Sequence, residues 1–252
     1  SSFWEIYLFS CIYHIINRAF AQYFFDAILG MLGEINVFSI FLNFLFPPRC
    51  PNCSAYVEHR GAFCADCAVC LVGLHTIACP REAREYLVGI RAFAHYRESV
   101  RDLLRALKYQ KKKSVLPALH AILAAGEQAL AGLPRTLTAV PVPLAPERAR
   151  TRGFNQVEEI FAPWLAAHDI DVCSLLIRTR ETAPLYERTR AERQKELRGA
   201  FAVTEGADVT GQDILLVDDI MTTGATLTEC ARVLKCAGAQ RIYAFVLASG
   251  HL

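Results

Sequence analysis

The segment Ile214-Leu-Leu-Val-Asp-Asp-Ile-Met-Thr-Thr-Gly-Ala-Thr226 constrains this chain more than any other. Ile214 to Val217 form a short uninterrupted apolar run, the pattern of a parallel strand buried on both faces. Asp218 and Asp219 come where that strand should end. Thr222, Thr223, Gly224, Ala225 and Thr226 then turn into a helix, because Leu227, Cys230, Ala231 and Leu234 recur at i, i+3, i+4 and i+7. Gly238 stops that helix as a C′ glycine. The free N–H groups of the first helical turn, the helix dipole and the threonine hydroxyls favour an anion there. Gly224 lets the backbone approach it closely. Two ionised carboxylates would repel a phosphate, so they need another task. Accepting hydrogen bonds from a sugar diol suits groups that are acceptor-only. The ligand so described is a ribose 5-phosphate unit. The chain has no GxxxxGK[ST] sequence, so the turn is not a P-loop.

A length of 252 residues accommodates one domain of ordinary size plus a small module. With 53% apolar and 21% charged residues the chain is globular and not disordered. The net charge of +2 says little about partners, but its distribution says more. Segments 101–113, 147–152 and 178–198 hold 16 of the 27 Lys and Arg against six acids, so they sum to +10 and the remainder to −8. Segregated positive segments suit a polyanionic ligand, with solvated helix faces as the plainer explanation for part of them. Ten cysteines with no signal-peptide pattern, four of them at metal spacing, indicate a reducing cytoplasmic setting.

Residues 1–36 are aromatic-rich, and neither of the longest uncharged runs in and just after them, 6–17 and 35–48, reaches the roughly 18 apolar residues of a membrane span. Two expectations stand side by side. Met31 is the first methionine and so an alternative start, or 1–30 is an amphipathic helix that docks on a partner or a membrane surface. Residues 37–48 read as a short apolar helix ended by Pro47 and Pro48 and packed on the cysteine-bearing segment after it. That segment holds Cys50-Pro-Asn-Cys53 and Cys64-Ala-Asp-Cys67, two CxxC knuckles whose four thiolates suit structural Zn²⁺. A rubredoxin-like iron site or two disulfides are the alternatives. Cys70, His75 and Cys79 are either a degenerate second site or packing. The expected domains are an extension at 1–36, a zinc-binding cysteine-knuckle module at 37–80 and a main domain at 81–252.

Within the main domain, residues 84–96 suggest a strand or hairpin. Val100, Leu103, Leu104 and Leu107 have helical spacing, with Arg101, Arg105 and Lys108 on the polar side. Residues 115–131 predict a second, alanine-rich helix. A strand at 138–143 then leads into a basic, glycine-containing loop, Arg148 to Gly153, and a helix capped by Asn155 that runs to about Ala167. A basic loop at the carboxyl end of a parallel strand lies where α/β sheets bind ligands, so Arg152 and Gly153 are placed to hold a pyrophosphate. The alternative is a surface loop of solvated arginines. Residues 172–177 suggest a strand. The charged stretch Arg178 to Arg198 reads as a loop or hairpin able to fold over a site, excluding water from a reactive sugar cation and delivering arginines to a departing pyrophosphate. Strands at 213–217 and 242–247 flank a helix at 226–237.

Val217 to Thr226 resembles the phosphoribosyl pyrophosphate (PRPP) loop of type I phosphoribosyltransferases, with every position of the pattern filled. Together with Phe46 to Cys50, the CxxC pairs, Leu107-Lys108-Tyr109, Val140-Pro-Val-Pro143, Arg152-Gly-Phe-Asn-Gln156, Arg193 and Gly199-Ala-Phe201, the chain resembles the ComF family over about residues 37–252. The resemblance implies an α/β fold: a central, mostly parallel sheet flanked by helices, with a small N-terminal zinc ribbon. It also implies a role in natural competence and the handling of incoming single-stranded DNA. Asp218 and Asp219 would then hold the ribose hydroxyls, and Thr222, Thr223, Gly224, Ala225 and Thr226 the 5-phosphate, with Met221 and Lys108 among the PRPP-binding residues. Mg²⁺ would bridge ribose and pyrophosphate, with Arg152 and Gly153 on the pyrophosphate side and Asp218, Asp219 and Arg152 as catalytic candidates. Leu185 and Glu196 replace a Gln and an Asn of many members, and a second cysteine set is missing. The competing reading is a non-catalytic sensor or scaffold that binds single-stranded DNA through Tyr109, Phe154 and the basic segments, or that docks DNA-uptake proteins at the inner membrane face through 1–48.

Overall fold

The computed structural model describes residues 43–182 and 189–250. The expectations for 1–36, for most of the 37–48 helix and for Leu185 therefore lie outside the described residues. Asn43 to Leu45 are helical, as the end of that helix requires. The chain divides into compact units at Pro47/Pro48. The cysteine knuckles thus belong to the same unit as the main sheet and do not form a separate body.

In chain order the second unit contains α1 (Ala65–Leu71), β1 (Val72–Ile77), β2 (Gly89–His95), α2 (Glu98–Gln110), α3 (Leu116–Ala124), β3 (Thr138–Pro141), α4 (Pro146–Arg152) and α5 (Gln156–Ala166). It continues with β4 (Asp171–Val172), β5 (Leu176–Arg178), α6 (Arg190–Leu197), β6 (Phe201–Val203), β7 (Asp213–Met221), α7 (Ala225–Cys236) and β8 (Arg241–Ser249). The main sheet has the order β1-β2-β8-β7-β3-β4, parallel throughout except for β1 on β2. β5 and β6 pair antiparallel in a small second sheet.

β7 lies between β8 and β3, and its alternation over Ile214 to Val217 assigns each of these side chains to one of two cores. Ile214 and Leu216 pack with Leu227, Cys230, Ala231 and Leu234 of α7. Leu215 and Val217 pack on the other face with Val157, Ile160 and Phe161 of α5. The chain therefore leaves β3 and β7 toward opposite faces of the sheet. That divergence opens a crevice at their carboxyl ends, where open α/β sheets take ligands. Pro141 ends β3, and Val142 N–H still donates to Val217 O at 2.9 Å.

Phe93 sits at the centre of one core, edge-on to Phe161, Trp164 and Phe245 with ring centroids 6.1, 5.3 and 5.5 Å away. Cys50, Val57, Cys67 and Leu71 belong to this same core, so the ribbon is built on it. The helix expected over 115–131 is broken into α3 and a 3-10 turn at Glu127–Leu130. Gly126 lies at the break, and only glycine fits there, because a Cβ would come within 2.4 Å of the buried Phe93 ring. Gly126→Ala is expected to cost about 1–3 kcal/mol through overpacking, read as a lower denaturant midpoint with an unchanged slope.

Three further expectations are corrected. The basic stretch 148–152 is not a loop but α4, with Pro146 in its first turn and Gly153 ending it at φ +82. The polar stretch before β6 contains α6, begun by a capping box between Thr189 and Glu192. The region around His75 is strand β1, which completes a hairpin with β2.

Candidate functional site

β7 does not end before the acidic pair, as the sequence suggested, but runs to Met221 in register with Ser249. Strand alternation therefore sends the two carboxylates to opposite faces, Asp218 toward α7 and Asp219 toward α2 and α5. They are chemically unequal as a result. Asp219 is 5% exposed, and its Oδ2 takes both the Lys108 Nζ ammonium and the Gln156 Nε2 amide at 2.7 Å. Arg152 closes the ring: Nε donates to Lys108 O at 3.0 Å and Nη1 to Gln156 Oε1. Residues of α2, the end of α4, α5 and β7 are thereby locked together. Asp218 is partly buried, and its Oδ1 accepts the Asp219 N–H at 2.8 Å. No cation pairs with it among the described residues. Burial, and next the Asp219 charge, push its carboxyl up to about 7.

Both carboxylates nevertheless line an open cavity of about 440 Å³. Thr226 and five cations, Lys108, Lys111, Arg148, Arg152 and Arg178, share its wall. The structure thus brings Asp218, Asp219, Lys108, Arg152 and Thr226 to one place. Met221, Thr222, Thr223, Gly224 and Ala225 line an adjoining pocket of about 60 Å³, which Thr226 also borders. α7 starts there at Gly224, which has no side chain to cap it, and only a long 3.5 Å contact joins Ala225 N–H to Thr223 Oγ1. Gly224 is required at this turn: its φ is +76, and a Cβ would stand 2.8 Å from Pro80 Cγ and 3.0 Å from Met221 Cε. Gly153 lies outside the main cavity, in a shallow groove on the Phe154 side of α4.

Gln156, Lys111, Arg148 and Arg178 were not singled out as site residues by sequence reasoning. The Arg152-to-Gln156 motif held the signal for Gln156, because the two residues sit either side of the Gly153 turn. Arg178 lay at the start of the charged stretch expected to deliver arginines, but nothing local singled it out, because β5 is three residues long and its place depends on β6. Burial lowers the Arg178 and Arg152 pKa values, Asp219 opposing this at Arg152, so each guanidinium sits where an added anion is welcome.

At the ribbon, the sulfurs of Cys50, Cys53, Cys64 and Cys67 all lie within 4.8 Å of one another. A tetrahedral zinc with bonds near 2.3 Å sets its sulfurs about 3.8 Å apart, so the cluster fits the ion. Asn52 Nδ2 donates to Cys67 Sγ at 3.0 Å, the kind of outer hydrogen bond that orients a thiolate. Cys70, His75 and Cys79 do not gather into a second cluster among the described residues. His75 instead stacks on His95 with centroids 4.5 Å apart.

A double zinc ribbon domain model matches residues 41–97, and a phosphoribosyl transferase domain model matches residues 177–251. The chain is 29% identical over 211 residues to DNA utilization protein YhgH of Salmonella typhi, covering 79% of this chain and 88% of that protein. It is 28% identical over 201 residues to competence protein ComFC of Streptococcus pneumoniae, covering 79% and 80% respectively. It is 24% identical over 210 residues to competence protein F of Haemophilus influenzae, covering 80% and 84%. Both domain assignments agree with the observed architecture, a mostly parallel α/β sheet carrying an N-terminal ribbon. The ribbon match and the four-cysteine cluster together support a structural zinc. No helix among the described residues is long and apolar enough to cross a membrane.

Proposed function

Because the chain belongs to the ComF family, in which a zinc ribbon is joined to a phosphoribosyltransferase domain, we propose that it binds PRPP at the crevice between β3 and β7 and serves in handling DNA during competence. The observation that carries this reading is the pairing of two adjoining spaces at one strand end. The smaller is enclosed by the threonine turn at the start of α7 and the larger by carboxylates and cations. A 5-phosphate belongs in the first. The ribose diol faces Asp218, and the pyrophosphate meets the cations of the larger cavity.

Mg²⁺ takes oxygen ligands, commonly one or two carboxylates together with substrate phosphates. Asp218 offers such a carboxylate, whereas Asp219 already carries the Lys108 ammonium. The residues thus fit an ion held chiefly by the ligand, with Asp218 beside it, and the ion would supply charge neutralisation at the pyrophosphate. The chain's own part is electrostatic. Lys111, Arg148, Arg152 and Arg178 stabilise charge on a leaving pyrophosphate, and the ring of Lys108, Asp219, Gln156 and Arg152 keeps Arg152 and Lys108 from reorganising. With Asp218 engaged at the diol and Asp219 by Lys108, no other described residue lining the cavity is a carboxylate or histidine, so an acceptor for transfer would have to be nucleophilic without a separate base.

A second reading, a PRPP-fold sensor or scaffold acting on single-stranded DNA, is favoured by one observation. Tyr109 is 76% exposed at the rim beside Lys111 and Lys112, a stacking face among cations. Titration of PRPP with Mg²⁺ calorimetrically on the wild type, Asp218→Asn and Asp219→Asn is expected to give binding that both variants weaken about tenfold or more, the scale of a lost charge-assisted hydrogen bond. A pyrophosphate-release assay with and without single-stranded DNA then separates enzyme from sensor. Wild-type protein that ignores PRPP would remove the proposal.

A further inference from the structure

We propose that Arg193 recognises the 5-phosphate of the ligand, so that α6 serves the phosphate end of the site and not the pyrophosphate end. This deepens the PRPP reading and rests on it. The arginines of the 178–198 stretch have two possible stations, the large cavity or the small one. The structure separates them: Arg178 lines the large cavity, and Arg193 lines the small pocket together with Leu197 and residues 220–227.

Three features hold Arg193 there. Leu197 lies four residues further along α6, hence on the same helix face, and is buried at 1% exposure. Anchoring Leu197 therefore turns Arg193 toward the turn. Beyond the helix, the Gly199 N–H donates to Glu229 Oε1 at 2.7 Å. Glu229 is a buried residue of α7, gripped in turn by Arg232 Nε at 2.9 Å and Nη2 at 2.7 Å. The trailing end of α6 is thus fixed to the helix whose first turn makes the pocket, so the two elements keep their spacing. Finally, Arg193 Nη1 donates to Thr222 Oγ1 at 2.9 Å, which aims the guanidinium at the pocket mouth.

The chemistry fits a phosphate monoester. A pocket of about 60 Å³ exceeds several-fold the ~10–15 Å³ that one water needs, which is room for a single tetrahedral anion. The turn itself offers only neutral donors, amides and hydroxyls, and Asp218 nearby works against an anion. Arg193 supplies a full positive charge at this end. A guanidinium carries its N–H donors in a planar fork whose geometry matches phosphate oxygens.

The test uses the full-length, zinc-loaded chain and three probes: PRPP with Mg²⁺, ribose 5-phosphate, and inorganic pyrophosphate with Mg²⁺. Calorimetry on the wild type, Arg193→Ala and Arg193→Lys should show Arg193→Ala losing roughly 10- to 100-fold in affinity for PRPP and ribose 5-phosphate, the range for one hydrogen bond to a charged group. Pyrophosphate affinity should stay unchanged, and Arg193→Lys should recover part of the loss. A merely structural role would weaken all three probes alike. Loss confined to pyrophosphate overturns the assignment, because Arg193 would then serve the leaving group. Tighter ribose 5-phosphate binding by Arg193→Ala also overturns it, making the arginine a plug. Wild-type protein that binds neither sugar phosphate brings down the PRPP reading itself, a result distinct from any difference between variants.

Discussion

Stripping zinc from the ribbon, or replacing Cys64 with serine, is expected to destabilise the whole unit from Pro48 onward and not the ribbon alone. The four thiolates are held close by little besides short-range contacts, such as Cys50 N–H to Ala55 O at 2.8 Å and Ser54 N–H to Cys50 O at 2.9 Å. Ser54 adopts φ +61 to make that knuckle. Without metal, four mutually close sulfurs have no reason to stay together. Yet Cys50 is 2% and Cys67 6% exposed, and both lie in the core that contains Phe93, Leu103 and Phe245. Releasing the ribbon would open that core to water over Val57 and Leu71 as well. A structural zinc contributes on the order of 10 kcal/mol or more to folding in small finger peptides. An entire domain has only about 5–15 kcal/mol of net stability. Even a fraction of the metal's contribution is therefore decisive. Thermal melts should show Tm falling by more than about 10 °C, at roughly 2–4 °C per kcal/mol for a unit of this size. Near-UV signal from the Phe93–Trp164 cluster should be lost in the same transition. Elemental analysis should find one zinc per chain. An unchanged melting curve after full metal removal would show the ribbon to be an appendage.

What could be read in advance was whatever repeats on a local period. The apolar run of β7, the i, i+3, i+4 pattern of α7 and α2, the Asn155 cap of α5, which accepts Val157 N–H at 3.1 Å, and the paired CxxC spacing all carry their meaning within a dozen residues. The errors came where a distant partner decides. α4 has no buried residue and hence no apolar stripe, so it looked like a loop. Position 126, at the break after α3, must be glycine because of a phenylalanine 33 positions earlier in the chain, which no local pattern contains. β1 was obscured because its segment reads as part of the cysteine-bearing module, whereas pairing with β2 settles it as strand. The acidic pair was recognised, but not that it continues the strand. That single difference separates Asp218 from Asp219 and makes Lys108 the partner of only one of them.

The inequality of the two carboxylates leads to the second large effect, on Asp218. Its carboxyl is raised to about 7, through burial first and the Asp219 charge second. The unfolded chain has it near the ordinary ~3.9. Between about pH 4 and 7 the folded protein therefore holds a proton that the unfolded chain has released, so stability falls as pH rises through this window. The stabilisation is fully present below the unfolded pKa and gone above the folded one. An asparagine side chain cannot ionise. Asp218→Asn should match the wild type near pH 4 and become the more stable protein by pH 8. One pKa unit is worth about 1.4 kcal/mol, and since part of the shift is shared with Asp219, a gain of about 1–3 kcal/mol is expected. Urea midpoints from pH 4 to 8 would measure it. Ligand affinity should move the opposite way. In the wild type the ionised carboxylate is the better acceptor for a diol and the better neighbour for Mg²⁺, so PRPP binding should strengthen from pH 6 to 8. The variant should bind weakly at both, with the ligand's own phosphate titration common to the two proteins. A residue that costs stability where it is charged, and contributes to binding in the same pH range, is the pattern of a functional site and not of a structural acid. If Asp218→Asn were no more stable at pH 8 and bound PRPP as before, the carboxylate would have no part in the site.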